Sequence, residues 1–272
     1  MKERILFNTV EEGLEKYKYY DMYKYDIKWL LSKIEEVEMR FLKQEQDILK
    51  TDKEQDIITP SMVFTNMRPS IVAPAYNLNQ YLTKLNEITV YFNLGGFNDA
   101  QLTQTELNIY MNQIFISIKT LLDRCVSLFT FYFKGISTTS TFGHVKDNGK
   151  SSGLMSKVLE MKGESPIHEY VYENYKSWIK QTIRPRDLVI HYNDLSTDYQ
   201  YPADNRIIPI HLNNRVFNNE TTNDSKEDYR DYTYKSFYQI IHELYEFYLT
   251  LVYSLSDLSY KITLSHYHYL KK

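Results

Sequence analysis

Residues that break helices are scarce in this chain, and their scarcity limits the possible folds more than any other feature. Only 8 glycines and 7 prolines occur among 272 residues. An all-β sandwich or barrel needs many tight turns, and turns depend on these residue types. The apolar fraction of 43% and the charged fraction of 25% are those of an ordinary globular protein. The sequence therefore predicts a mostly α-helical, folded protein with long helices.

Apolar residues recur at three- and four-residue steps in several stretches, as they do on one face of a helix. The clearest pattern begins at Asp99 or Thr103, either of which can cap a helix, and runs to about residue 134. Gly95 and Gly96 end the helix before it. Further helices are predicted over residues 9–52, 76–94, 153–162, 167–180 and 232–261.

Three stretches lack this periodicity and are predicted to connect helices. Residues 57–75 carry three prolines, so we expect an extended connection and a boundary between subdomains there. Residues 136–152 are rich in Ser, Thr, Gly and Asn, which favours a loop. Residues 196–230 are polar and contain two prolines, which indicates a small irregular or β insertion. Within it, Ile207, Ile208 and Ile210 are candidates for a short strand or hairpin.

Charge and cysteine content exclude several classes of protein. The net charge of −3 excludes a globally basic protein that coats nucleic acid, although it permits a local basic cleft. The single cysteine, Cys125, cannot form an internal disulfide, and its place on an apolar helical stripe favours a buried, inert thiol. No Cys/His spacing typical of zinc and no glycine-rich phosphate loop occurs, so we expect neither a metal nor a cofactor.

The start of the chain and its hydropathy pattern bear on its location. Residues 1–4 lead into mixed charge rather than into the apolar core of a signal peptide. No stretch of about 18 uncharged apolar residues is present, so no membrane span is expected. We therefore expect a soluble, cytoplasmic protein.

The segment Arg186–His191, with the sequence RDLVIH, is the strongest candidate for chemistry. It pairs a permanent cation with a side chain that can transfer protons near neutral pH. On a regular helix, residues five apart lie about 140° apart around the axis. Arg186 and His191 can therefore share one site if a helix begins near Arg186, or if a second copy of the chain closes the site. The second arrangement predicts a cleft at a dimer axis, where two arginines and two histidines converge.

This segment resembles the R-x(4–6)-H motif of the HEPN superfamily (higher eukaryotes and prokaryotes nucleotide-binding). Asp187 takes the polar position after the arginine, which is often Asn in that superfamily. The context is similar too: a long helix over about 101–134, a middle helix over 167–180 and a long final helix surround the motif. The resemblance covers roughly residues 100–265.

The resemblance implies a fold and a division of the chain. It implies an all-α, HEPN-like helical bundle over residues 96–272, with the insertion at about 196–230. Residues 1–95 would then form an N-terminal helical extension.

The resemblance also implies an activity, because active HEPN proteins are metal-independent endoribonucleases that work as dimers. His191 would act as general base on a ribose 2′-hydroxyl or as acid to the leaving 5′-oxygen. Arg186 would stabilise the charge that develops on the phosphorane, and Asp187 would orient Arg186 or His191. The nearby candidates for contact with RNA are Lys176, Lys180, Arg184 and Tyr192. Such a protein would be a homodimer and could serve as a toxin or phage-defence effector, with any antitoxin partner on a separate chain.

Two other classes of function stay open at the level of sequence. The first is a non-catalytic helical module that binds nucleotide, RNA or protein through the same cleft. The second is a structural oligomer whose aromatic-rich helices form the interface, since 26 residues are tyrosines. Arg186 and His191 also have a purely structural alternative, in which Arg186 pairs with a carboxylate such as Asp187 or Asp194 and His191 bonds a neighbouring helix.

Overall fold

A computed structural model of the chain describes the greater part of its helical regions. The described residues are 7–49, 57–137, 139–146, 148–180, 182–183, 197–200, 208–212, 234–258 and 264–265. They are mostly helical, which confirms the predicted all-α class. None of the described helices is long and apolar enough to cross a membrane.

Eight α-helices and two shorter helical segments lie within the described residues. The α-helices are α1 (Val10–Lys16), α2 (Ile27–Leu49), α3 (Pro60–Asn66), α4 (Arg68–Leu94), α5 (Phe97–Phe129), α6 (Gly153–Glu160), α7 (Pro166–Asn174) and α8 (Tyr234–Ser256). A 3₁₀ segment covers Tyr19–Tyr23, and a π-helical segment covers Tyr175–Ile179.

Four short strands form two antiparallel pairs within the part of the chain that the structure describes. Strand β1 (Ile57–Ile58) pairs with β4 (Leu264–Ser265), and β2 (Thr197–Gln200) pairs with β3 (Ile208–Leu212). The second pair confirms the small β insertion that the sequence predicts between the helices.

The described residues fall into two compact units. Unit 1 takes its residues from the ranges 1–26, 74–116 and 182–242, and unit 2 takes its residues from 27–73, 117–181 and 243–272. Helices α4, α5 and α8 contribute residues to both.

The core of unit 1 contains an aromatic cluster around Phe237 of α8. Its ring lies 5.2 Å from the ring of Tyr81 on α4 and 5.6 Å from that of Phe115 on α5, and both pairs are edge-to-face. All three side chains are buried. Because aromatic side chains bury the largest apolar areas, this cluster is a principal source of stability where the three helices meet.

The core of unit 2 has a similar cluster around Phe247, which is also on α8. Phe247 stacks on Tyr170 of α7 at 5.7 Å and meets the edges of Phe142 and Trp178 at 6.4 and 6.0 Å. The cluster therefore fixes α7 and the π segment against α8.

The prediction of an extended connection over residues 57–75 is wrong, because its prolines occupy positions that a helix accepts. Pro60 is the first residue of α3, and Pro69 is the second residue of α4. The first turn of a helix does not use its N–H groups, so proline costs nothing there. The side chain of Thr59 caps α3 by accepting a hydrogen bond from the backbone N–H of Met62. Pro74 lies inside α4, where it removes a single helical hydrogen bond from a helix of 27 residues.

Other helix limits differ from the predicted ones by a few residues. Helix α5 begins at Phe97, two residues before Asp99, and ends at Phe129 rather than at about residue 134. Residues 9–52, which are predicted to form one or two helices, contain α1, the 3₁₀ segment and α2. Gly95 follows the last residue of α4 with a φ of 79°, as the sequence predicts for a helix stop.

Candidate functional site

Only part of the predicted site lies within the described residues. Arg186, Asp187 and His191 lie outside them, as do Arg184 and Tyr192. Their roles therefore stay predictions from the sequence. The structure describes Lys176 and Lys180, which belong to the helical segment that leads into the motif.

This segment changes its helical form just before the motif. Helix α7 passes directly into the π-helical turn Tyr175–Ile179. The backbone N–H of Val145 donates to the Tyr175 hydroxyl at 2.7 Å, and the Trp178 indole N–H donates to the Asn174 side chain at 3.0 Å. Turns of π-helix are rare and frequently lie at functional sites, because they re-aim the side chains that follow. Nothing in the sequence periodicity distinguishes this turn from an ordinary helix.

Lys176 and Lys180 are both exposed, as contacts with a charged ligand require. The ammonium group of Lys176 lies 5.4 Å from the ring centre of Tyr172. The ammonium group of Lys162 lies 4.1 Å from the same ring centre. Both distances are typical of cation–π contacts. We call Lys162, Tyr172 and Lys176 the lysine–tyrosine cluster.

Sequence reasoning missed two members of this cluster. Tyr172 precedes Lys176 by four residues, a spacing that brings two side chains together on a helix, so it could have been found. Lys162 lies in the turn after α6, and only the tertiary fold brings it to the ring.

His168 lies on α7, and its surroundings show that its role is structural. It is fully buried, and neither ring nitrogen has a hydrogen-bond partner. The ring of Phe133 lies 4.5 Å away and that of Phe129 lies 6.5 Å away. Burial lowers the pKa of His168, and the charge of Glu164 opposes this effect only in part. The imidazole is therefore neutral near neutral pH and is inaccessible to a substrate.

His144 and Ser152 lie close together, as the histidine base and the serine nucleophile of a catalytic pair do. His144 Nδ1 lies 3.1 Å from Ser152 Oγ. A catalytic pair also needs a third group that orients the base, and no described residue supplies one to His144. The backbone N–H of Ser152 donates to the carbonyl of His144 at 3.0 Å, so the pair closes a turn of the loop. Close packing at Gly143, where a Cβ would lie 1.9 Å from the Ser152 carbonyl oxygen, fixes the same turn.

Cys125 is buried, as the sequence predicts. Burial raises the pKa of its thiol far above the usual range, which removes the thiolate that nucleophilic chemistry needs. Its Sγ lies 3.0 Å from the carbonyl oxygen of Leu122, so the thiol has a hydrogen-bond acceptor within α5.

Unit 1 contains a cavity of about 230 Å³ beside the 3₁₀ segment. Its walls include Lys18, Asp21, Lys24 and Glu87. Asp21 and Lys24 pair with each other at 2.9 Å. Because the wall charges are of both signs, they give the cavity no clear preference for an anion or for a cation. Within the described parts of the chain, no group of three or more His, Cys, Asp or Glu side chains is arranged to hold a metal ion.

Comparison with known proteins gives no family for this chain. No protein-family model matches it, and no curated protein or solved structure matches it significantly.

Proposed function

We propose that the chain is a HEPN-like, metal-independent endoribonuclease that acts as a homodimer. The observation that carries the proposal is the spacing of Arg186 and His191 in a helical chain, between the segment that contains Lys176 and Lys180 and the long helix α8. The order of α5, α7 and α8 agrees with the helix order that the resemblance implies.

The proposed reaction is an internal transfer within the RNA backbone. His191 removes the proton of a ribose 2′-hydroxyl, and the 2′-oxygen attacks the neighbouring phosphorus. The bond from phosphorus to the 5′-oxygen breaks, and this oxygen takes up a proton as it leaves. The products are a 2′,3′-cyclic phosphate and a 5′-hydroxyl. Arg186 stabilises the negative charge that builds up on the phosphorane, and Asp187 holds the guanidinium in place.

Contacts with the RNA backbone come from the segment before the motif and from the motif itself. Lys176 and Lys180 are exposed, as contacts with phosphate groups require. Arg184 and Tyr192 complete the set in this proposal. Because the reaction uses the 2′-hydroxyl, RNA is the substrate and DNA is not.

The test is cleavage of mixed RNA by the purified protein in EDTA. We expect the wild type to cleave, and we expect His191→Ala and Arg186→Ala to lose activity by about 100-fold or more, since each removes a group that acts on the transition state. Circular dichroism checks that both variants are folded. Equal cleavage by all three proteins would indicate a contaminating nuclease, and RNA binding by a wild type that does not cleave would favour the non-catalytic module.

The proposed role as a toxin or defence effector has its own test in cells. Expression of the wild type is expected to arrest growth, and His191→Ala is expected to relieve the arrest. Growth arrest that persists with His191→Ala would contradict a toxicity based on RNA cleavage.

A further inference from the structure

Two ammonium groups share one aromatic ring on the surface of unit 2. Lys162 and Lys176 lie 4.1 and 5.4 Å from the ring centre of Tyr172. Lys162 comes from the turn after α6, whereas Lys176 comes from the π turn after α7. The fold therefore brings two positive charges from separate segments to the same ring, and two such charges attract an anion more strongly than one does.

Neither lysine has a carboxylate partner within the described parts of the chain. Other lysines of the chain do have such partners: Lys16 pairs with Glu12 at 2.8 Å and Lys33 pairs with Glu36 at 2.9 Å. Glu173 is on the same helix as Tyr172, yet no ion pair joins it to either lysine of the cluster. The two ammonium groups thus remain available for an external anion.

The ring gives these lysines a second property, because it limits their motion. A lysine loses substantial side-chain entropy when a ligand fixes it. Contact with the face of Tyr172 holds both stems near one place before any ligand arrives, so less entropy is lost on binding. Proteins that bind single-stranded nucleic acid combine positive charges along the backbone with aromatic rings, and this cluster has both features.

The geometry points to the lysine–tyrosine cluster as a contact for the phosphate backbone of single-stranded RNA, with Lys162 and Tyr172 as binding residues beside Lys176. The choice of RNA as the anion rests on the proposed function. In the sequence, the lysine–tyrosine cluster precedes Lys180, which the proposed function also assigns to contact with RNA.

The test measures binding of the full chain to a labelled single-stranded RNA of about 15 nucleotides, a length that covers a typical binding site. The protein carries His191→Ala so that the RNA stays intact. For single strands, the logarithm of affinity falls with the logarithm of salt concentration by about 0.7 per phosphate contact. Lys162→Ala with Lys176→Ala is therefore expected to reduce this slope by about 1.4 and to weaken binding about tenfold near 0.1 M salt.

The matched control removes two lysines that already have carboxylate partners. Lys16→Ala with Lys33→Ala changes the net charge by the same amount and is expected to leave the slope unchanged. Tyr172→Phe keeps the ring and is expected to bind like the parent, whereas Tyr172→Leu is expected to weaken binding with little change of slope. Glu173→Gln, which removes a neighbouring negative charge, is expected to tighten binding.

The outcomes separate this inference from the proposed nuclease activity. A slope that is the same in the cluster variant and the control variant would overturn the inference, as would the absence of RNA binding by the parent. If the wild type binds RNA through the cluster but does not cleave it, the nuclease proposal fails and the contact stands. If the wild type cleaves RNA and the slope does not respond to the cluster, the contact fails and the nuclease proposal stands.

Discussion

Burial of the His168 imidazole without a hydrogen-bond partner costs free energy, and this cost indicates the role of the residue. A buried imidazole normally finds a hydrogen-bond partner, but neither nitrogen of His168 has one. The surrounding rings of Phe129 and Phe133 accept a neutral imidazole and resist a charged one. Its role is therefore packing, and its cost becomes visible when the pH falls.

His168 is expected to make the folded protein less stable in mild acid. Burial holds the pKa of His168 below its ordinary value of 6.5 in the folded state, so only the unfolded chain takes up this proton at first. The free energy of unfolding therefore falls as the pH drops through 6.5 towards the lower folded pKa. Urea denaturation between neutral and mildly acidic pH measures this loss, which His168→Leu should reduce. An identical pH dependence in the wild type and the variant would contradict the assignment.

The sequence predicts which residues a helix buries, but it does not predict the contacts between separate segments. The buried, inert state of Cys125 follows from its place on an apolar stripe, because helical periodicity is a local property. The Lys162–Tyr172 contact depends on how two segments pack, and no local pattern encodes it.

Among the secondary-structure elements, α3 and α4 show that the effect of a proline depends on its position in the helix. Counting prolines predicts a break, whereas their placement at the first turns of α3 and α4 lets helices begin there. The strongly periodic helices α2, α5 and α8 were predictable because each buries one continuous face. The π turn was not, since it adds one residue to a turn without changing the apolar pattern visibly.

Helix α3 is short, and its start depends on a carboxylate from another helix. Glu45 of α2 is buried, and its oxygens accept hydrogen bonds from the backbone N–H and the hydroxyl of Ser61, both at 2.6 Å. The negative charge also lies at the end of the helix where the dipole favours it.

Removal of this carboxylate is expected to destabilise unit 2. Glu45→Ala removes the acceptor of the buried backbone N–H of Ser61, whereas the Ser61 hydroxyl still has Thr59 Oγ1 at 3.1 Å. We therefore expect the free energy of unfolding to fall by about 2 kcal/mol. Chemical denaturation measures the change. Glu35→Ala, an exposed position on the same helix, is the control and should cost less than about 0.5 kcal/mol. Equal effects of the two substitutions would show that Glu45 does not cap α3.

At the scale of the whole molecule, a net charge of −3 means that any binding of RNA depends on where the positive charges lie. The exposed Lys176 and Lys180 and the cluster around Tyr172 supply local positive charge on a chain that is acidic as a whole. Such binding should be strongly sensitive to salt.

The proposed nuclease is a homodimer, in which a second copy of the chain closes the site of Arg186 and His191. We expect sedimentation equilibrium to give twice the 32.6 kDa mass of the single chain. The measurement belongs at the protein concentration used for RNA cleavage. A monomer that cleaves RNA at that concentration would contradict the shared, two-fold site.

In the proposed reaction His191 drives an attack by the ribose 2′-hydroxyl, and this attack determines the chemical ends of the products. Mass spectrometry of RNA fragments formed in EDTA should show 2′,3′-cyclic phosphate and 5′-hydroxyl ends. The same RNA with 2′-deoxy sugars at the cleaved positions should stay intact, and His191→Ala should form none of these fragments. Fragments that end in 5′-phosphate, or cleavage that persists after loss of His191 or of the 2′-hydroxyl, would contradict the account.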